Sequence, residues 1–159
     1  MKWEAELKQQ GNSRMNPAAR RKARQLALQA LYQWYMAQAN VADIEAQFRA
    51  DNDFEKIDGE YFSELLLQIP KQLDELDGCV EPLLDRDLEE LDPIERAILR
   101  IGAYELLHRH DVPYRVVINE GIELAKRFGA SESHRYVNGI LDKIAAKVRS
   151  PEVKNHRKS

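Results

Sequence analysis

The amino-acid sequence predicts an all-α fold of about seven helices. Three observations carry that expectation. No short segment alternates apolar and polar residues as a half-buried strand does. Apolar residues instead recur at three- and four-residue spacing through most of the chain. The seven glycines and six prolines mostly fall between these periodic segments, where they act as punctuation.

The first helix is expected to begin at Asn16-Pro17, with Asn16 as N-cap and proline in the first turn. Ala23, Ala27, Ala30, Leu31 and Trp34 form one stripe along it. Leu28, Tyr32 and Tyr35 form a second, so burial on more than one side is expected. A short helix is expected around 43–50, and another over 58–69, ended by Pro70. Residues 71–84 read as a weaker helix interrupted by Gly78 and Pro82. Asp92-Pro93-Ile94-Glu95 is a strong helix start, combining a capping Asp, an early proline and a Glu three residues after the cap. Asp111-Val112-Pro113 breaks the chain and restarts it. Val117, Gly121, Leu124, Ala125 and Phe128 then share one face, with Gly129 as the stop. Ser131 is the expected cap of the last helix, whose buried stripe is Val137, Leu141, Ile144 and Val148.

Charge is strongly segregated. The chain carries a formal net charge of −3, made of +5 over residues 1–42, −14 over 43–95 and +6 over 96–159. Such a division leaves room for a local basic face on an acidic protein. The acidic middle reads either as a solvated surface or as a face for a basic protein. One cysteine, Cys79, excludes an intramolecular disulfide framework and a multi-cysteine zinc site. No apolar run is long enough to span a membrane, and the first residues lack the apolar stretch of a secretory signal, so a soluble, cytoplasmic chain is expected.

Motifs of catalysis and metal binding are mostly missing. His108 and His110 are two apart and point to nearly opposite sides of a helix. Asp51-Asn52-Asp53 resembles the start of a calcium loop, but Lys56 stands where that loop requires glycine. Asp85 and Asp87 read as an exposed acidic turn, and Cys79 as a small packing residue. No metal, no cofactor and no enzymatic activity are expected.

The informative segment is RMNPAARRKAR, residues 14–24, with five cations and no acid. Arg20, Arg21, Lys22 and Arg24 fall in the first two turns of a helix, where the macrodipole disfavours positive charge by about 0.3–1 kcal/mol each. An anionic partner removes the conflict, because phosphates meet both the side chains and the free N–H groups. The alternative is a solvated basic helix end. A second patch opens the last helix: Ser131 and Ser133 as donors, Arg135 as a cation and Tyr136 as a stacking platform that fits single-stranded RNA. Tyr136 reads equally well as core. Glu132 would repel phosphate, so it would serve only as an acceptor for base amino groups.

Three separated blocks, PAARRKARQLALQALYQW, ERAILRIGAYEL and VPYRVVINEGIELAKRFGASESHRYVNGILDKIA, resemble the NusB family of bacterial antitermination factors, over roughly residues 16–148. The resemblance implies two packed helical subdomains. Residues 1–15 would be a flexible extension, with Met15 either a second start or the edge of the folded unit. Residues 16–150 would form the RNA-binding domain, with subdomains of about 16–70 and 71–150, and residues 151–159 a flexible tail. It implies binding of the boxA element of nascent RNA, notably ribosomal RNA leaders, together with the ribosomal protein NusE, other Nus factors and RNA polymerase. RNA-binding positions carry over to Arg20, Arg21, Lys22, Arg24, Glu132, Ser133, Arg135 and Tyr136, with Tyr114 of VPYRV a further candidate. Asn16 replaces a lysine of some members, and Arg14 could compensate. Tyr32 and Glu95 carry over to the NusE-facing surface. Two other readings stay open, an RNA-binding module of an rRNA methyltransferase-like protein and a helical domain that only binds proteins. Monomer and homodimer are both compatible with the resemblance.

Overall fold

The computed structural model describes residues 16–158. Expectations placed on residues 1–15, Arg14 and Met15 among them, lie outside the described residues. Among these the chain forms eight α-helices and three short 3-10 turns, with no strand. It divides into two compact units, Met1–Leu67 and Gln68–Ser159.

The first unit holds α1 (Pro17–Ala37), α2 (Val41–Asp51) and most of α3 (Gly59–Lys71), with a 3-10 turn at Phe54–Lys56. Asn16 Oδ1 accepts from Ala19 N at 3.0 Å and Asn40 Oδ1 from Ala42 N at 2.8 Å, so each of the first two helices starts on an asparagine cap. Asp58 caps α3 through Tyr61 N at 3.1 Å, and its own N–H donates to Ala19 O at 3.1 Å, tying α3 to α1. Phe62 is fully buried, with the Phe48 and Phe54 rings 6.1 and 5.3 Å away. The Arg49 guanidinium covers Phe54 and donates to Gly59 O at 2.9 Å and Ser63 Oγ at 2.7 Å.

The second unit is built on α5 (Pro93–His108), which is buried from Arg96 to Leu106 except at Arg100. Around it stand α4 (Leu73–Val80), α6 (Tyr114–Phe128), α7 (Ser133–Val148) and α8 (Ser150–Lys158), with 3-10 turns at Glu81–Leu83 and Leu88–Glu90. Leu141 of α7 fills a notch left by two glycines: a Cβ at Gly102 would stand 2.5 Å, and one at Gly121 2.6 Å, from its methyls. Arg100 clamps Asp77 of α4 with two bonds of 2.9 Å. Arg96 donates to Glu89 O and Leu91 O, holding the turn before α5.

Several local expectations change. Pro70 does not stand outside its helix but sits inside the last turn of α3, which ends one residue later at Lys71, so only its own bond to the preceding turn is forgone. Gly78 lies within α4, and Pro82 is the middle residue of the 3-10 turn after it. Gly129 ends α6 in extended backbone (φ −91°). It is required by space, since a Cβ there would lie 2.8 Å from Ala125 O and 2.9 Å from Ser133 Cβ. Ser131 is not the cap of α7. Residues 130–133 turn, with Ser133 N donating to Ala130 O at 3.0 Å, and Glu132 takes the cap position without a side-chain bond. Leu28 of the second α1 stripe is buried, but Tyr32 and Tyr35 of that stripe are exposed.

The segment beyond Pro151 differs most from the expected flexible tail. It is helical through Lys158, and Val153 is buried. Arg149 explains why. Its guanidinium is 3 % exposed and donates to the carbonyls of Glu105, Leu106, Arg109 and Val112 and to Glu152. Glu152 in turn accepts from Tyr114 N at 2.7 Å, supplying the cap that Pro113 cannot give α6. Arg149→Met should lower the unfolding free energy by about 3 kcal/mol, because several buried carbonyls lose their donor. Urea titration measures this, and a loss below about 1 kcal/mol would contradict the clamp.

Candidate nucleic-acid interface

The arginine-rich start of α1 has no acid in its first turn. Residues 20 and 24 lie one turn apart on the same face, whereas 21 and 22 point elsewhere. Arg20 lies 4.2 Å above the Tyr61 ring and pairs with Asp58 at 3.5 Å, its side chain only 11 % exposed. Arg24 is 2 % exposed, 5.4 Å from the same ring. These two guanidinium groups therefore belong to the packing of α1 on α3, contrary to their expected place on an RNA-facing surface. A desolvated cation–ring contact of this kind contributes about 2 kcal/mol. Arg21 and Lys22 are exposed, and they carry the outward charge of the segment.

In the second unit the start of α7 is more structured than its sequence suggests. The Tyr136 hydroxyl donates to Asp85 Oδ1 at 3.2 Å, and the Arg86 guanidinium stands 5.3 Å from the Tyr136 ring. Arg86 also holds Asp85 at 2.9 Å. The Asp85 carboxyl is kept below the usual carboxylate range, first by the Arg86 hydrogen bond and further by that from Tyr136. Burial, then the bond to Asp85, pushes the Tyr136 phenol up. Asp85 and Arg86 are thus part of this patch, and the expectation of a bare acidic turn missed them. Arg135 and Glu132 pair at 3.0 Å with both side chains largely exposed, a contact worth only about 0–1 kcal/mol, so both remain exchangeable.

Two expected RNA-binding side chains are turned away from solvent. Ser133 is 5 % exposed, packed beside Gly129 where the chain enters α7. Tyr114 is 7 % exposed because α8 lies against it, with the His156 ring 6.1 Å away. Of the expected partner-facing residues, Tyr32 is 37 % exposed and Glu95 is half-buried. His108 ends α5, where a cation suits the dipole, beside Tyr104 and Glu75. Burial, then Glu75, pushes the Cys79 thiol up, which fits a packing role rather than a reactive one. Among the described residues there is no group of three or more His, Cys, Asp or Glu placed to hold a metal, and no helix long and apolar enough to cross a membrane.

Comparison with known proteins decides the family. The NusB family profile matches residues 21–146. The chain belongs to the NusB family. It is 59 % identical over 137 residues to the transcription antitermination protein NusB of Pseudomonas fluorescens (strain Pf0-1), covering 86 % of this chain and 82 % of that protein. It is 58 % identical over 146 residues to the NusB of Alcanivorax borkumensis, covering 92 % and 97 %. The solved structure of T. maritima NusB superposes with a TM-score of 0.73 at 31 % identity, covering 84 % of this chain and 96 % of that one. The matched NusB segment includes Arg21, Lys22, Tyr32, Glu95 and the start of α7, while α8 lies beyond it.

Asp85→Asn removes the anion that opposes ionisation of Tyr136. The Tyr136 midpoint, followed by carbon NMR of the phenol, should fall on that substitution. It should stay above that of free tyrosine, because burial is the larger cause. An unchanged midpoint would contradict the bond.

Proposed function

We propose that this NusB-family chain is a non-catalytic RNA-binding antitermination factor that acts on nascent transcripts in the cytoplasm. Its target is single-stranded boxA RNA, notably of ribosomal RNA leaders, taken together with the ribosomal protein NusE and presented to RNA polymerase with the other Nus factors. The observation that carries this reading is the exposed Arg21–Lys22 pair in the second turn of α1, a helix whose first turn holds no acid. Exposed positive charge near a helix N-terminus suits the approach of phosphates.

Arg135 and Tyr136 contribute the second set of contacts. Arg135 exchanges Glu132 for phosphate at little cost, and the freed Glu132 carboxylate accepts from base amino groups. A base reaches the Tyr136 ring by displacing Arg86, whose guanidinium can stack on the base in turn. Tyr32 supplies an aromatic anchor and Glu95 an acceptor for a basic ribosomal protein. Phosphate contacts give affinity and base contacts give choice of sequence.

Binding of boxA RNA and of a scrambled control, with NusE present at moderate salt, tests the reading. The boxA element should bind more tightly, and equal affinities would overturn it. Replacing Arg21 and Lys22 by alanine should flatten the slope of log affinity against log salt by about 1.4, the release expected for two phosphate contacts on a single strand. The same experiment with Arg24→Met should leave the slope unchanged, since that guanidinium faces Tyr61.

A further inference from the structure

We infer that the outer face of α8, together with Arg115, is a second RNA-backbone contact that grips nucleotides flanking boxA. This rests on the RNA-binding reading above. The inference starts from an oddity of construction. A nine-residue helix rich in cations, Ser150–Lys158, is poorly suited to stand alone. It is nevertheless held firmly, through Val153, the Arg149 clamp and the bond from Tyr114 N to Glu152. Those anchors occupy its inner side. Lys154, Asn155, His156 and Arg157 are exposed.

The neighbouring surface has the same sign. Arg115 is exposed in the first turn of α6, which contains no acid. The acids nearby are already engaged: Glu152 on Arg149 and Tyr114 N, and Asp111 on Arg109 at 2.9 Å. What faces solvent is therefore positive, in a chain whose net charge is −3. Glu152 already caps the start of α6, and Arg115 beside it adds an exposed cation to this surface. A phosphate backbone complements that charge without demanding a pocket.

Position sets which nucleotides these are. Arg135 stands in the first turn of α7, and α8 begins past its far end, after Val148. At 1.5 Å per residue those points are about 20 Å apart along the helix. A strand held at Tyr136 must run about 20 Å further to reach α8, towards the edge of the bound element and its flanks. The helix lies beyond residues 21–146 that the family profile matches, whereas Arg115 lies within them.

The test uses the full chain with NusE and two RNAs, one confined to boxA and one carrying boxA within a longer leader. Arg115→Gln, Lys154→Gln and Arg157→Gln are combined in one variant. These residues are exposed, and circular dichroism confirms that the fold is kept. On the longer RNA the variant should bind about tenfold more weakly, with a salt slope flatter by about 2, as loss of three single-strand phosphate contacts requires. On the short RNA it should match the parent. Equal loss on both RNAs would overturn the flanking assignment, and no loss on either would overturn the contact. So would loss of binding to an acidic protein with RNA affinity intact. If the parent binds neither RNA, the functional reading itself fails, an outcome distinct from failure of the variant.

Discussion

The helical period divides the arginine cluster, and the first unit is organised around that division. Arg20 and Arg24 share a face, and that face meets Tyr61 and Asp58. Asp58 serves three ends at once. It caps α3, donates its N–H to α1 and takes the charge of Arg20. Two cations that the α1 dipole disfavours thereby become part of the packing between α1 and α3. The turn of helix that buries them also holds Arg21 and Lys22 outward. A sequence run that looks like one uniform basic patch is two structures interleaved.

The second unit solves a related problem with backbone rather than rings. Its central helix, α5, is hydrophobic enough to be buried along most of its length, and its C-terminal carbonyls then need donors. Arg149 supplies them from a distant part of the chain. Leu141, lodged against Gly102 and Gly121, fixes the rotation of α7 about its axis. That rotation decides which residues at the start of α7 face out. Arg135 is exposed, Ser133 is inside, and Tyr136 lies between, where Asp85 and Arg86 reach it. The chemistry available at the surface is set by packing several turns away.

Elements with local signals were legible in the sequence. Asn16-Pro17 and Asp92-Pro93 carry their helix starts in adjacent residues, and both caps are made as expected. The buried stripes of α6 and α7 follow from spacing, except that their last members, Phe128 and Val148, are only half-buried. Elements that depend on distant partners were not legible. Nothing near Pro151 announces that Val153 finds a core or that Arg149 finds four carbonyls, so that segment reads as a tail. Tyr114 reads as a surface aromatic until α8 covers it. Residue type identified the basic segment as a place for phosphates. Which cations face out could not be read without knowing where Tyr61 and Asp58 lie. Asp85, fifty-one residues from Tyr136, carries no sequence sign of their bond.

Side-chain NMR of the arginine Nε–H groups during titration with boxA RNA in the presence of NusE addresses the division of the cluster most directly. The Arg21 resonance should shift and broaden as RNA is added. The Arg20 and Arg24 resonances should hold their positions, sheltered against Tyr61. Equal movement of all three would show that the inward pair leaves its packing to meet RNA, and would contradict the account.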